Sequence, residues 1–340
     1  MAFNPHAINQ VFISSYDENG KLKTFDVSDL VSGLQYSTIL EGQPSKLTFT
    51  LQKDPNDKLN IRNGSRVQFT RDGKGIFLGY VFDMGTDATE TYKITAYDQM
   101  RYLNNETTTL IQNKKVSDVF LELCQYNGIP KYAVITPCDF VCPKKSYKEQ
   151  SLFSILKDQL IKANNGSEGK KYYFIRDNYG TLELNELGNC KTDLIIGEKS
   201  LLSSYQFSIS IDKNTYNTFK LIREGDSTPY VVKDSGTQKI WGQLQKVISI
   251  EKNMSKKEMT DLGDKYLKRH NRESRTFKLS ALGDDSIRAG SGISVNIPKL
   301  RTKKFINGKE TDEYLDMWLV GATHNFSKDM HTMELDVAIP

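Results

Sequence analysis

Apolar and polar residues alternate with a period of two over most of the chain. In Leu47-Thr48-Phe49-Thr50-Leu51 the apolar side chains fall on one face, as a half-buried strand requires. From Val11 to about Tyr97 such segments are separated by turn chemistry at Asp17-Glu18-Asn19-Gly20, Glu41-Gly42-Gln43-Pro44, Asp54-Pro55-Asn56-Asp57 and Arg71-Asp72-Gly73-Lys74-Gly75. Turns at roughly twelve-residue spacing predict a sandwich or barrel.

After Asp98-Gln99-Met100-Arg101-Tyr102-Leu103 the period changes. Val116, Val119, Phe120, Leu123 and Cys124 recur at three and four residues, and Asn127-Gly128 before Pro130 stops the run. A second helix is predicted from Gln150 to Ala163, with Leu152, Ile155, Leu156 and Leu160 inward and Asn164-Asn165-Gly166 at its end. Strands follow at Lys171–Ile175 and Thr181–Leu184, joined by the hairpin turn Asp177-Asn178-Tyr179-Gly180. From about Ser203 strands return at Tyr205–Ile211, Tyr216–Arg223 and Val231-Val232. Ser255-Lys256-Lys257-Glu258 is a capping box, ahead of a stripe of Met259, Leu262, Tyr266 and Leu267. The remaining strands run from Arg275 to Ala338, and Phe305–Asp312 reads as an exposed hairpin tip.

The predicted fold class is therefore mainly β with an α+β insertion. It comprises two similar tube-like β-barrel or sandwich domains, a small α+β domain and a helix-containing insertion. The boundaries are 1–103 for the first β domain, 104–200 for the α+β domain and 201–340 for the second β domain, interrupted by a helical segment at about 240–274. Two stretches 226 residues apart support the duplication: Ile61-Arg62-Asn63-Gly64-Ser65-Arg66-Val67-Gln68-Phe69 and Ile287-Arg288-Ala289-Gly290-Ser291-Gly292-Ile293-Ser294-Val295. Both set a Gly-Ser turn before an alternating strand, where glycine takes positive φ without a Cβ clash. Downstream, Leu78-Gly79-Tyr80-Val81 is answered by Val320-Gly321-Ala322-Thr323, and Tyr92–Ala96 by Met333–Val337. A repeat met twice argues for two like β units and not for a solenoid.

Composition narrows the class further. The 340 residues allow two or three domains that fold without staples. A hydrophobic fraction of 38% with 16 Phe and 17 Tyr fits thin β layers with wet outer faces. The net charge of +4, from 46 basic and 42 acidic residues, is too balanced to imply nucleic acid. Lysine outnumbers arginine 35 to 11, so bidentate phosphate contacts are few. Met1-Ala2-Phe3-Asn4-Pro5-His6 carries no secretory signal, and no apolar run approaches the ~20 residues of a membrane span. The expectation is a protein made in a cytoplasm, with Cys124, Cys138, Cys142 and Cys190 reduced.

Candidate chemistry is sparse. Cys138 and Cys142 form C-x3-C without a matching second pair or a nearby histidine, so core or surface thiols are expected in place of a zinc site. His324 and His331 flank a turn at Lys328-Asp329 and can face each other across a hairpin; with Asp329 and Asp336 near, a metal or acid–base site can be sketched, and chance adjacency explains it equally. Gly73-Lys74-Gly75 and Gly290-Ser291-Gly292 lack the rest of a phosphate-binding or dinucleotide motif, and turn glycines suffice. Asp284-Asp285 and Asp312-Glu313 read as solvated turn carboxylates. Lys170-Lys171-Tyr172-Tyr173-Phe174 alternates as a single-strand stacking surface does, and equally as a half-buried strand does. The expected catalytic, cofactor-binding and metal residues are none, with no cofactor and no enzyme activity.

The element order resembles the XkdQ/YqbQ-type tail protein family of PBSX-like prophages and, more distantly, the baseplate hub proteins of contractile phage tails and R-type bacteriocins. The residues that carry it are Leu78-Gly79-Tyr80-Val81 with Tyr92–Leu103, Asn113–Phe120 opening the first helix, Trp241-Gly242, and Leu319–His324. The resemblance implies a structural hub: a homotrimer whose two tube-like domains per subunit make a ring of six, adapting a sixfold tail tube protein to a threefold central spike protein. The duplication is what that symmetry match requires. It further implies strands near Val67–Tyr80 and Ile293–Trp318 bonding across subunits, and the insertion outside the ring holding baseplate wedge or neighbouring baseplate proteins. Neither membrane nor sequence-specific nucleic acid is a partner on this reading. The implied location is the virion or a phage tail-like particle, assembled in the bacterial cytoplasm. The alternatives are a tail-associated cell-wall hydrolase and, behind it, a nucleic-acid or carbohydrate binding module.

Overall fold

The computed structural model describes residues 7–338 other than 18, 41, 54–58, 60, 87, 89–90, 168–170, 213, 224, 226, 251, 253, 298–303, 307–308 and 312–313. The chain is mainly β and divides into two compact units. One comprises residues 1–205 and 278–340, the other residues 206–277.

A thirteen-stranded sheet dominates the first unit. Its first half runs, neighbour to neighbour, through Val31–Ile39, Lys46–Gln52, Thr91–Tyr97, Lys74–Thr86, Arg66–Arg71, Asn9–Tyr16 and Leu22–Asp26. The alternation seen in sequence is what closes it: Leu47, Phe49, Leu51, Val67, Phe69, Ile94 and Ala96 all point to one dry core. Asp72 and Gly73 have φ of 48° and 74°, so the Arg71–Lys74 connection is a two-residue turn with both central residues left-handed. The other half of the sheet runs through Leu202–Ser210, Ser274–Leu282, His331–Ala338 and Leu315–Phe326. Gly292–Asn296 pairs Leu315–Trp318 on one side and Lys191–Gly197, in parallel, on the other.

The residues between Tyr97 and Lys191 form the α+β insertion. Helices α1 (Val116–Tyr126) and α2 (Leu152–Gly166) start and stop near where periodicity places them, and Ser151 caps α2 by accepting from the Ser154 N–H at 3.1 Å. They pack with the strands Tyr173–Asp177, Leu182–Glu186 and Tyr132–Val134 around Phe120, Leu152, Ile155, Leu156, Leu182 and Leu184, each fully buried. At about 1.5–3 kcal/mol per buried side chain of this kind, the insertion holds a core of its own.

The second unit, described by itself, holds the strand ends Gln206–Ser210 and Ser274–Phe277 and a three-stranded sheet in the order Tyr230–Lys233, Thr218–Arg223, Gln245–Ile250. Helix α3 is Ser235–Trp241 and helix α4 is Lys256–His270, and α4 lies on the sheet through Met259, Leu262 and Tyr266. The capping box forms: Ser255 N donates to Glu258 Oε2 at 2.7 Å and Glu258 N to Ser255 Oγ at 3.3 Å. Residues 240–274 thus hold a strand between two helices. In the tract Phe305–Asp312, Lys304–Ile306 pairs Lys309–Thr311 while the tip lies outside the described residues, as do the turn Asp54–Asp57 and Asp312-Glu313.

Gly79 and Gly85 share one strand and differ in surroundings. A Cβ at Gly79 would overlap the Tyr97 carbonyl and the Phe77 ring, whereas one at Gly85 meets nothing within 4 Å. Gly79→Ala should therefore cost about 2 kcal/mol of unfolding free energy by urea titration, and Gly85→Ala well under about 1 kcal/mol.

Candidate assembly surface

Backbone hydrogen bonds show the two β halves to be copies. Gly64 and Gly290 have φ of 87° and 85°. Gly64 N donates to Val81 O at 2.8 Å and Val81 N to Ser65 O at 2.9 Å; Gly290 N donates to Leu319 O at 2.8 Å and Leu319 N to Ser291 O at 2.9 Å. The Ser hydroxyls repeat as well, Ser65 Oγ accepting from Arg62 N at 3.1 Å and Ser291 Oγ from Arg288 N at 3.3 Å. Each long strand then carries one bulge at the same place, between Val81 and Asp83 and between Leu319 and Gly321, before pairing resumes with Thr91–Tyr97 and His331–Ala338. Ala96 faces Val81 as Val337 faces Leu319, so the match of Tyr92–Ala96 with Met333–Val337 is in register. The match of Leu78–Val81 with Val320–Thr323 is not: Val81 corresponds to Leu319. Its two glycines meet different demands, Gly79 the close Tyr97 backbone and Gly321 the Asp336 side chain after the bulge.

One joint links the copies. Past its bulge, Gly321–Phe326 pairs His331–Ala338 on one edge and Leu34–Ile39 on the other. Side chains zip this joint: Gln35 Nε2 donates to Asn325 Oδ1 at 2.8 Å, and Ser37 Oγ stands 3.2 Å from Thr323 Oγ1. Of the strands implied to bond across subunits, two have both edges paired inside the chain, while Lys74–Gly79 is paired with a strand on one edge. Arg66–Arg71 is flanked by Asn9–Tyr16 and Lys74–Tyr80, and Gly292–Asn296 by Lys191–Gly197 and Leu315–Trp318. Among the described residues, the edges of the large sheet without a neighbouring strand include those of Leu22–Asp26, of Lys191–Gly197, of Asp83–Gly85, beyond the first bulge, and of Leu202–Ser210.

The insertion is seated on both copies by its hairpin Asp177–Leu182. Tyr179 and Gly180, at φ of 48° and 82°, make its two-residue turn, closed by Asn178 N to Thr181 O at 2.7 Å. The Tyr179 ring lies on Gly75, whose Cβ would stand 2.6 Å from it, and Gln68 Nε2 donates to the Tyr179 hydroxyl at 3.1 Å. Gln99 Nε2 donates to Gly180 O. From the second copy, Arg288 donates to Asp177 O and Asn178 Oδ1, both at 3.1 Å, and Gly290 leaves room for the Phe174 ring. Burial raises the Asp177 carboxyl above the usual carboxylate range, and the Asp98 charge pushes it the same way. Asp177 accepts from Gly180 N at 2.8 Å through one oxygen, while its other oxygen is buried without a partner.

A model of the YQBQ-like family matches residues 34–338. The chain belongs to that family. No curated protein matches this YQBQ-like chain. Among solved structures it is similar to the 43 kDa tail protein of prophage MuSo2 from Shewanella oneidensis, with a TM-score of 0.66 at 12% identity over 97% of both chains. The tail protein from Neisseria meningitidis MC58 matches with a TM-score of 0.64 at 12% identity, over 97% of this chain and 96% of that one. Prophage tail protein gp18 from Listeria monocytogenes EGD-e gives 0.55 at 13% identity, over 96% and 94%. The YQBQ-like chain thus has the fold of prophage tail proteins.

The residues weighed for chemistry in this YQBQ-like chain are placed as follows. Cys124, Cys138 and Cys142 are buried in the insertion core, and burial pushes the Cys124 thiol up to about 12 and Cys142 to about 11. Cys190 is half-buried beside Leu40, Phe174 and Ala289. Tyr173 and Phe174 are buried, so they offer no stacking face, and Lys170 lies outside the described residues. Among the described residues no three His, Cys, Asp or Glu side chains are grouped to hold a metal, and no helix is long and apolar enough to cross a membrane.

His324 and His331 do meet, each 2% exposed, with Nδ1 of the first 2.9 Å from Nε2 of the second. Neither Asp329 nor Asp336 is a further partner; Asp336 is exposed and pairs with Lys278 at 3.2 Å. Beside them stands Asp285, one of the two carboxylates expected to be solvated, with Oδ1 3.2 Å from His331 Nδ1 and in an ion pair with the buried Arg71 Nε at 3.3 Å. Because His324 Nε2 faces the Ile287 carbonyl at 2.8 Å, that nitrogen carries the proton in the neutral ring, so His331 Nε2 donates to His324 Nδ1, and His331 Nδ1, left without a proton, makes no hydrogen bond to the Asp285 carboxylate beside it. Sequence could not foresee Asp285, which arrives from a loop 39 positions before His324 on the strand order.

Burial lowers His324 to about 4, and burial with the neighbouring His324 and Arg71 lowers His331 to about 3. The folded protein therefore refuses protons that the unfolded chain takes up below about pH 6.5. Stability from His324 is complete above that pH and should fall by about 3 kcal/mol on acidification to pH 4. Denaturant titrations from pH 7 to pH 4 read this out, and His331→Gln should flatten the loss.

Proposed function

We propose that this YQBQ-like chain is a structural component of a phage tail or phage tail-like bacteriocin, and within it the baseplate hub. Three copies would surround the tail axis, residues 1–103 and 201–340 of each supplying two β units to a ring of six. One face of the ring would meet the sixfold tail tube and the other the threefold central spike. Residues 104–200 would stand outside the ring and hold wedge or neighbouring baseplate proteins. The particle is the place of action, after assembly in the bacterial cytoplasm.

The observation that carries this reading is the repeat of turn, bulge and strand order within one chain. A homotrimer of a single-copy chain presents three equivalent faces and cannot match a sixfold partner, whereas a duplicated chain presents six near-equivalent ones. The prophage tail proteins that share the fold over almost their whole length support the setting. A non-enzymatic role agrees with the site chemistry, since the histidines that sit together are wholly interior and occupied with each other and with the backbone.

Solution mass by light scattering tests the proposal, with the purified chain alone and with its spike partner. The expected result is a species near three times 38.7 kDa in one or both samples. A monomer in both, above all one that releases cell-wall fragments, contradicts it and favours a hydrolase.

A further inference from the structure

We infer that the exposed edge of Leu202–Ser210 in one subunit pairs, antiparallel, with Asp83–Gly85 of the next, repeating between subunits the joint that links the two copies within the chain. The inference rests on the oligomeric reading above and adds to it the strands that make the contact.

The internal joint is a template because both of its strands have counterparts. The bulge at Phe82 matches that at Val320, so Asp83, Met84 and Gly85 correspond to Gly321, Ala322 and Thr323. The partner strand of the joint, Val31–Ile39, is followed in the sheet by Lys46–Gln52 and then Thr91–Tyr97. Leu202–Ser210 is followed by Ser274–Leu282 and then His331–Ala338. The buried triplet Leu47, Phe49, Leu51 recurs as Phe277, Leu279, Ala281. Bonds from Leu282 N to Leu201 O and from Ser274 Oγ to Ser210 O fix the antiparallel run of Leu202–Ser210, and with the triplets aligned Ser208 corresponds to Ser37 and Phe207 to Tyr36.

At the internal joint these positions are covered: Tyr36 is 6% exposed and Thr38 7%. Their counterparts Phe207 and Ile209 are 37% and 51% exposed, on one face of a strand whose outer edge pairs with no other strand among the described residues. Asp83 and Gly85 are exposed too, and open space surrounds Gly85. An open strand edge flanked by exposed apolar side chains attracts another strand. Here the edge and its complement lie on the same chain at different places, so the contact is head-to-tail and propagates from copy to copy until it closes.

Cysteine cross-linking tests the pairing. At the internal joint the Ser37 and Thr323 hydroxyls are 3.2 Å apart, and their counterparts are Ser208 and Gly85. In a Cys190→Ser background, Gly85→Cys with Ser208→Cys treated with diamide should give covalent species between subunits, up to three times 38.7 kDa. Ser37→Cys with Thr323→Cys should lose its two thiols without change in mass. Ile209→Lys, with an unaltered circular dichroism spectrum, should raise the dissociation constant of the oligomer at least tenfold. If a trimer forms and the internal pair closes while Gly85→Cys with Ser208→Cys stays uncross-linked, the proposed pairing is wrong and the hub reading stands. A chain that remains monomeric and uncross-linked, with the internal pair closed, overturns both.

Discussion

A strand left without a neighbour exposes a row of backbone donors and acceptors, and the architecture of this chain is largely a set of answers to that requirement. Each β copy covers one end with extra strands, Asn9–Tyr16 and Leu22–Asp26 in the first and the parallel Lys191–Gly197 in the second, each outermost strand paired on one side. The other end of the first copy, Val31–Ile39, is satisfied by the second copy's long strand. A bulge makes this possible, because it turns Gly321–Phe326 away from the strand that flanks Leu315–Trp318 and frees an edge for Leu34–Ile39. The same bulge in the first copy frees an edge that no strand among the described residues occupies.

The polar interior near the joint serves the same architecture. His324 lies opposite Tyr36 across the paired strands, and Phe326 stacks on His331 with ring centroids 4.2 Å apart while the Arg71 guanidinium lies over the Phe326 ring at 5.7 Å from its centroid. Residues from both copies are thus tied by neutral imidazoles and one buried guanidinium, groups that are costly to bury unless each is partnered. The insertion hairpin is a second tie, since Tyr179 rests on the first copy and Arg288 reaches it from the second.

Much of this was legible in sequence because period and turn chemistry are local. The strand at Leu47–Leu51, the turn at Asp177–Gly180, helix α1 and the capping box of α4 all follow from residues within a few positions of one another. The duplication was legible from its Gly-Ser turns. Register beyond the turn was not, because a bulge adds one residue without any compositional mark, and Gly79 and Gly321 coincide in letter but not in role. The placing of Asp285 beside His331 and Arg71 depends on three distant segments meeting, which no local pattern encodes. For the same reason it could not be foreseen that Arg66–Arg71 and Gly292–Asn296 find both neighbours within the chain: pairing choice is set by what else is adjacent in space.

One chain carries two like β units joined edge to edge. Electron cryomicroscopy of the assembled oligomer, averaged from end-on views without imposed symmetry, tests it most directly. Six like β units in one closed ring, alternating with threefold insertions at the periphery, are the result the account predicts. A ring of three units, or a two-fold dimer in which the edges of Asp83–Gly85 and Leu202–Ser210 both remain open, would contradict it.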